Sequence, residues 1–294
     1  MFVARRIGIA LLAAGLLATT GCGTTKDDFP VTSKPKFNSY VAMGDSFVSG
    51  PDITPQNSAA GGCQRSTENY PALLAKKLRA HTFRDASCSG AISSDIIVNR
   101  LGTAQIGAQI DAVNKNTDLV TVGIGGNDEG VFGKVIYACT TGTRVAEAQC
   151  SPGVKVFLTQ ALARTTTRVA ASLERIREKA PNARIVLVGY LRVLPEPGGC
   201  VVTGLTAARS VPAIMAQDML DTSLAQAAKR AKVEYVSMRT LSAGHESCYG
   251  SKAWVNGFKG VQGDGAYLHP NAAGMRAVAD ILYKRLATAS TNRQ

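Results

Sequence analysis

Residues 119–128, Leu-Val-Thr-Val-Gly-Ile-Gly-Gly-Asn-Asp, are the stretch of this sequence that decides the fold class. Its first six residues form a short apolar run, which ends at two glycines. Such a run is typical of a strand that is buried on both faces of a sheet. Residues 40–43 and 185–188 form similar runs, so the sequence predicts several buried parallel strands.

Segments with helical spacing alternate with these runs along the chain. We predict helices at 71–79, 156–179, 207–232 and 271–286, and further strands near 82–83 and at 233–237. Strands that alternate with helices indicate an α/β domain whose parallel sheet is covered on both faces. Because functional sites of such sheets lie at the carboxyl ends of the strands, the residues that follow each strand are the candidates for chemistry.

The N-terminal residues differ from the folded domain. Arg5 and Arg6 precede an apolar run, which predicts a signal peptide at 1–21 and an exported protein. Cys22 ends a pattern that resembles a bacterial lipobox, which implies a lipidated cysteine and a membrane anchor. The alternative is a plain secretory signal without an anchor. Residues 22–36 then form a flexible tether, 37–288 the folded domain and 289–294 a C-terminal tail.

Six cysteines remain after the signal segment, and an even count in an exported chain predicts three disulfides. Six cysteines allow fifteen connectivities. We find no Cys-x-x-Cys pair, so we expect no metal site. The six are Cys63, Cys88, Cys139, Cys150, Cys200 and Cys248.

The chain is basic, with a formal net charge of +12. Removal of Arg5 and Arg6 leaves about +10, with 31 basic against 21 acidic residues. The basic residues are scattered and are not interleaved with aromatic residues, so we expect no nucleic-acid partner. The excess charge fits a weak attraction to anionic lipid or envelope surfaces, and a solvated surface without a partner fits it equally.

Four residues at turns suggest chemistry: Ser46 and Asn127 after predicted strands, Gly90 in a turn, and His269 before the last helix. A serine hydroxyl is a poor nucleophile until a base such as a neutral imidazole accepts its proton. An acyl-transfer intermediate also needs fixed donors for its oxyanion, which backbone N–H groups and an Asn amide supply. We expect Asp45 and Asp128, which adjoin two of these residues, to be structural hydrogen-bonding groups.

These residues resemble the sequence blocks of the GDSL/SGNH hydrolase family. Residues 44–46 match the first block, Gly90 the second, 125–128 the third and His269 the last, across about residues 39–275. The resemblance implies a three-layer α/β/α, flavodoxin-like fold with a five-stranded parallel sheet. It makes residues 37–288 an SGNH hydrolase domain.

The resemblance also implies roles for the four residues. Ser46 is the expected nucleophile and His269 the general base. The Ser46 and Gly90 N–H groups and the Asn127 amide form the expected oxyanion hole.

One position departs from the family pattern. Ala266 stands where the family usually carries an aspartate that orients the histidine. A branch of secreted esterases and lipases with a similar cysteine pattern also lacks this aspartate, and uses a main-chain carbonyl instead. By resemblance, the Ala266 carbonyl orients His269, with the Asp264 carboxylate as the alternative. The same branch pairs its cysteines sequentially, which implies Cys63–Cys88, Cys139–Cys150 and Cys200–Cys248.

We therefore expect a carboxylic ester hydrolase, an esterase or lipase, that needs no metal and no cofactor. Its expected substrate is a small-molecule or lipid ester. Alternatives within the fold are a phospholipase and a polysaccharide O-deacetylase. A non-catalytic lipoprotein that binds lipid or glycan is an alternative of another class. We expect a monomer that is either secreted or held in the cell envelope by its lipid anchor.

Overall fold

The computed structural model describes residues 37–100, 107–141, 150–151, 153–196 and 200–288. The predicted signal peptide, the lipidation of Cys22, the tether and the C-terminal tail lie outside the described residues. The described residues belong to a unit that extends from Lys34 to Gln294.

Five strands form one sheet in the order β2-β1-β3-β4-β5, and every neighbouring pair is parallel. This arrangement confirms the predicted five-stranded parallel sheet. All residues of β3 are buried, as its apolar run predicts. The strands are β1 (Ser39–Gly44), β2 (Thr82–Asp85), β3 (Leu119–Gly123), β4 (Arg184–Val188) and β5 (Glu234–Val236).

Helices connect and cover the strands. No helix of the described ranges is long and apolar enough to cross a membrane. The α-helices are α1 (Ser46–Ser49), α2 (Tyr70–Leu78), α3 (Ala138–Thr141), α4 (Val154–Lys179), α5 (Ala207–Arg230), α6 (Met238–Leu241) and α7 (Ala272–Thr288). Short 3₁₀ segments lie at Ser58–Cys63, Ser93–Ile96, Gln109–Ala112, Asp128–Gly130, Val201–Thr203 and Gly250–Lys252, and a π-helical turn spans Phe132–Tyr137.

The handedness of the connections determines which face of the sheet each helix covers. The chain moves from β1 to β2 in one direction across the sheet, and from β3 through β4 to β5 in the other. Because such crossovers are right-handed, the connecting helix α2 covers one face, and α4 and α5 cover the other. Helix α7 packs against α2, and α4 packs against α5. The result is the three-layer α/β/α fold.

The reversal of direction occurs between the adjacent strands β1 and β3. In open parallel sheets, ligands bind in the crevice at the carboxyl ends of the strands where the direction reverses. Ser46 follows β1 and Asn127 follows β3, so the two turns share this crevice. The register sets Gly44 opposite Gly123, which brings the two strand ends level.

Candidate active site

The turn after β1 sets the position of Ser46. Gly44 has a φ of +150°, and its missing Cβ leaves room for the Gly123 carbonyl oxygen, which would lie 2.3 Å from that atom. The Asp45 N–H donates to the same carbonyl at 3.0 Å, and the Asp45 carboxylate caps α1 by accepting the Phe47 N–H at 3.0 Å. Ser46 is therefore the first residue of α1, buried at the end of the sheet.

A histidine lies beside this serine. His269 Nε2 lies 2.8 Å from Ser46 Oγ, although 223 residues separate the two in the chain. The histidine comes from the loop before α7, where Leu268 has a φ of +53°. The sequence prediction that these two residues meet at one site fits this geometry.

The partner of the other ring nitrogen differs from our prediction. His269 Nδ1 lies 2.7 Å from the main-chain carbonyl oxygen of Tyr267. The Ala266 carbonyl instead accepts the backbone N–H of His269, at 3.3 Å. The assignment of the orienting carbonyl to Ala266 is therefore wrong by one residue. The Asp264 carboxylate accepts the Ala272 N–H at 2.8 Å, so it caps the start of α7.

Aromatic rings enclose the imidazole. The ring of Phe47 lies 5.1 Å from that of His269, and the ring of Phe132 lies 5.7 Å away, both between centroids. Burial lowers the pKa of His269, because a charged imidazolium is poorly solvated there. The Tyr267 carbonyl and the charge of Asp52 act in the opposite direction and raise this pKa. The net lowering favours the neutral imidazole, which is the form that accepts a proton.

The residues predicted to form the oxyanion hole each keep an N–H group available for a further acceptor. Asn127 donates from Nδ2 to the Ala91 carbonyl at 3.0 Å, which leaves the second N–H of its amide for another acceptor. Gly90 has a φ of +74°, and no atom lies within 4 Å of a Cβ placed there. Glycine is therefore favoured at this position by the backbone conformation and not by a lack of room for a side chain. Among the hydrogen bonds of the described residues, none uses the N–H of Ser46 or of Gly90.

The two aspartates beside the motif residues are held by hydrogen bonds, as predicted. Asp128 accepts the backbone N–H of Ser93 at 2.8 Å and its hydroxyl at 2.5 Å. Asp45 accepts the Tyr190 hydroxyl in addition to the Phe47 N–H. Burial raises the pKa of both carboxyls, that of Asp45 to about 7.

Three further residues of the site lie in no motif of the sequence. Gln109 accepts the Gly44 N–H at 2.7 Å and donates to the Gly44 carbonyl at 2.9 Å, which fixes the end of β1. Phe132 packs on the imidazole, and the Tyr190 hydroxyl joins two turns. Each lies in a segment whose position on the site depends on the tertiary fold.

Disulfides support the loops around the site. The structure contains the pairs Cys63–Cys88, Cys139–Cys150 and Cys200–Cys248, which are the pairs that the resemblance implies. The first adjoins the turn with Gly90, because the Ser89 N–H donates to the Cys63 carbonyl and the Cys88 N–H to the Gly44 carbonyl. Within the described ranges, no group of three His, Cys, Asp or Glu residues is arranged to hold a metal ion.

Known proteins resemble this chain in sequence and in architecture. Lipase 1 of Streptomyces coelicolor is 33% identical over 266 residues, which is 90% of each chain. The crystal structure of a phospholipase A1 from Streptomyces albidoflavus NA297 is 30% identical, with a TM-score of 0.69 over 85% of this chain and 98% of that chain. An extracellular lipase from Streptomyces rimosus is 28% identical, with a TM-score of 0.70 over 85% of this chain and 99% of that chain.

A family model also matches the chain. The model described as the GDSL-like lipase/acylhydrolase family matches residues 42–277, a range that includes Ser46, Gly90, Asn127 and His269. Because this range is most of its length, the chain belongs to the GDSL-like lipase/acylhydrolase family and is a hydrolase of that family.

Proposed function

We propose that this protein hydrolyses carboxylic esters through an acyl-enzyme on Ser46, with His269 as the general base. The observation that carries the proposal is the 2.8 Å distance from Ser46 Oγ to His269 Nε2. That distance lies within the range over which a base accepts a proton from its nucleophile. The arrangement is a dyad, since a main-chain carbonyl occupies the place that a carboxylate holds in a triad.

The first half of the reaction acylates the serine. Ser46 Oγ attacks the ester carbonyl carbon while its proton passes to His269 Nε2. The resulting tetrahedral intermediate collapses with cleavage of the bond between the carbonyl carbon and the alcohol oxygen. The same nitrogen gives its proton to the leaving alcohol, so the histidine is neutral again when the acyl-enzyme has formed.

The second half regenerates the enzyme. A water molecule loses a proton to His269 Nε2 and attacks the acyl carbon, and the acid leaves as Ser46 Oγ takes the proton back. During both halves the Tyr267 carbonyl accepts a hydrogen bond from the Nδ1–H group and holds the ring with Nε2 toward the serine. This hydrogen bond also stabilises the imidazolium that forms in each transition state.

The oxyanion of each intermediate needs donors that are already in place. We assign this role to the N–H groups of Ser46 and Gly90 and to the second N–H of the Asn127 amide. Their support is that the two backbone donors have no acceptor among the described residues, and that Ala91 fixes the amide of Asn127. Preorganised donors of this kind each contribute about 100- to 1,000-fold in rate.

We propose that the substrate is a fatty-acyl ester. Lipase 1 and the Streptomyces rimosus lipase are named for action on lipid esters, and both resemble this chain along most of its length. A phospholipid is the second candidate, because the phospholipase A1 has a TM-score of 0.69 to this chain. The geometry of Ser46 and His269 argues against a protein that only binds lipid or glycan.

We also propose that the protein is exported. Three disulfides fit an oxidising compartment, and the N-terminal pattern of Arg5 and Arg6 before an apolar run fits a signal peptide. Lipidation of Cys22 belongs to the same proposal and is supported by the Gly21-Cys22 pattern. Mass spectrometry of the mature N-terminus tests both, because lipidation leaves a modified cysteine as the first residue.

Turnover of p-nitrophenyl esters of increasing chain length tests the proposed reaction. Ser46→Ala should reduce kcat to the level of the blank, because the acyl-enzyme can no longer form. Ser49→Ala is the matched control, since Ser49 lies in the same short helix and its hydroxyl has no hydrogen-bond partner among the described residues. Equal rates for Ser46→Ala and the native protein would overturn the proposal, and a preference for long chains would support a lipid ester.

A further inference from the structure

Tyr190 lies just after β4 and belongs to no motif of the sequence. Its hydroxyl accepts the Gly126 N–H at 2.7 Å and donates to the Asp45 carboxylate. Its ring packs edge-on against Phe47, with 5.0 Å between centroids. One phenol therefore contacts both turns of the site: the turn that carries Ser46 and the turn that carries Asn127.

The contact with Gly126 holds the peptide group between Gly125 and Gly126, close to Asn127 in the chain. The N–H of Gly126 donates to the phenol, and its carbonyl oxygen accepts the Phe132 N–H at 2.9 Å. A Cβ on Gly126 would lie 2.9 Å from the Tyr190 hydroxyl oxygen. The phenol is thus in close contact with the backbone of the residue that precedes Asn127.

The contact with Asp45 reaches the other turn. One carboxylate oxygen of Asp45 accepts the Phe47 N–H, and the other accepts the Tyr190 hydroxyl. Asp45 directly precedes Ser46 and caps the helix that begins there. Loss of the phenol would leave one buried carboxylate oxygen and one buried N–H without a partner, and each would be free to reorient.

We propose that Tyr190 is a positioning residue that holds the Ser46 turn and the Asn127 turn in the relative geometry that acyl transfer needs. The proposal rests on the proposed function, because it assigns the nucleophile to the first turn and an oxyanion donor to the second. Tyr190 acts through Asp45 and Gly126 and does not contact the reacting atoms. Its contribution belongs to the transition state, in which the oxyanion is bound, and much less to the bound substrate.

The chain offers a matched control for the loss of a tyrosine–aspartate hydrogen bond. Tyr235 in β5 donates its hydroxyl to the Asp221 carboxylate at 2.5 Å, and Asp221 also accepts the hydroxyl of Ser237 at 2.9 Å. Removal of either phenol thus leaves its aspartate with one other donor, Phe47 N–H in the first case and Ser237 in the second. Tyr235 contacts neither Ser46, Asn127 nor His269 among the described hydrogen bonds and ring contacts.

The test compares Tyr190→Phe with Tyr235→Phe by p-nitrophenyl ester kinetics and by inhibition with an alkylboronic acid, which forms a tetrahedral adduct with a nucleophilic serine. Tyr190→Phe should lower kcat by about 10- to 100-fold with KM within about twofold, because small displacements of catalytic groups cost that much. Its Ki for the boronic acid should rise by a similar factor. Tyr235→Phe should keep kcat and Ki near the native values, whatever its melting temperature.

Two further variants, Gly126→Ala and Ser46→Ala, complete the test. Gly126→Ala displaces the phenol while all of its hydrogen-bonding groups remain, and should show the same loss of kcat at a similar KM. Native kcat and Ki in Tyr190→Phe would overturn the inference, as would equal losses in the two tyrosine variants. Ser46→Ala separates the two proposals: if it keeps its activity, the proposed function fails, whereas an inactive Ser46→Ala beside a fully active Tyr190→Phe refutes only the role of Tyr190.

Discussion

His269 combines two features that a general base needs at the residue scale. A main-chain carbonyl, that of Tyr267, holds the ring through Nδ1, and the rings of Phe47 and Phe132 pack against it. The carbonyl has no charge, so it favours the imidazolium less than an aspartate would. Burial therefore dominates and lowers the pKa of His269, so its neutral form persists to lower pH than that of an ordinary histidine.

The pH dependence of kcat/KM follows from this lowered pKa. Since His269 must be neutral to act, the acid limb should lie below a histidine's ordinary value of about 6.5. Asp52→Asn should move the limb to still lower pH, because the charge of Asp52 raises the pKa of His269. Initial rates from pH 4 to 9 check both statements, and a limb above the ordinary histidine value would contradict the assigned environment.

Substitution of Asp264 distinguishes the two candidates for the group that orients His269. Asp264→Asn should retain kcat within about threefold, because its side-chain oxygen can still accept the Ala272 N–H and the Tyr267 carbonyl is untouched. A loss of the size seen when the aspartate of a triad is removed, about 10,000-fold, would return the orienting role to Asp264. Circular dichroism of the variant controls for damage to α7.

The residues that the sequence predicted and those it missed differ in kind. Ser46, Gly90, Asn127 and His269 lie in short motifs whose residue types suit the proposed chemistry, so their identity alone is informative. The orienting carbonyl has no such signature, because every residue carries one, and the turn at Leu268 decides that Tyr267 and not Ala266 faces the ring. Tyr190 was missed because nothing local distinguishes it from a tyrosine that packs in the core.

At the scale of elements, the closeness of β1 and β3 constrains the turn that carries Ser46, the proposed nucleophile. The two strands are paired to their last residues, Gly44 opposite Gly123, and the Val48 side chain lies over both. A Cβ on Gly44 would lie 2.3 Å from the Gly123 carbonyl oxygen and 2.3 Å from Val48 Cγ2. The direct passage from strand to helix at this point therefore depends on glycine.

Gly44→Ala should lower the free energy of unfolding by about 2 kcal/mol or more, because a side chain at this φ is strained and overlaps its neighbours. Urea denaturation measures the change. Gly133→Ala is the control, since a Cβ there meets no atom within 4 Å and the residue lies in a helical turn. Equal stability of the two variants would show that the strand ends have more room than the structure gives them.

Most element bounds agree with the sequence within two residues. The helix expected at 156–179 begins at Val154, and the helix expected at 271–286 begins one residue later and ends two residues later. Apolar spacing locates the middle of a helix well, because that part faces the core, whereas the ends depend on capping contacts. Asp264, which caps α7 from eight residues away, illustrates a contact that no local pattern contains.

At the scale of the whole molecule, the order of the strands explains why distant residues meet. Alternating strands and helices in the sequence were enough to predict the parallel sheet, but not its order. The order β2-β1-β3-β4-β5 makes β1 and β3 neighbours and opens the crevice where the chain reverses direction. The crevice then receives Ser46, Asn127 and His269, which are spread over 223 residues.

The disulfide Cys63–Cys88 should affect both the stability of the fold and the geometry of the site, since it adjoins the turn with Gly90. Its removal in a Cys63→Ser/Cys88→Ser variant should cost about 3 to 4 kcal/mol for a loop of 25 residues. It should also lower kcat, because the Gly90 turn loses its tie to the neighbouring loop. The disulfide Cys139–Cys150 closes a shorter loop, of 11 residues. Its removal in a Cys139→Ser/Cys150→Ser variant should lower the melting temperature without a comparable loss of kcat. Equal kinetic losses in both variants would contradict this placement.

The central claim, that Ser46 is a nucleophile activated by His269, is tested most directly by covalent labelling with a p-nitrophenyl alkylphosphonate. Peptide mapping of the inactivated protein should place one phosphonyl group on Ser46 and on no other residue, with release of one equivalent of p-nitrophenol. His269→Asn should be labelled far more slowly at the same residue, since the proton of the Ser46 hydroxyl then has no acceptor. Inactivation with the label on another residue, or labelling of Ser46 at the same rate in His269→Asn, would contradict the account.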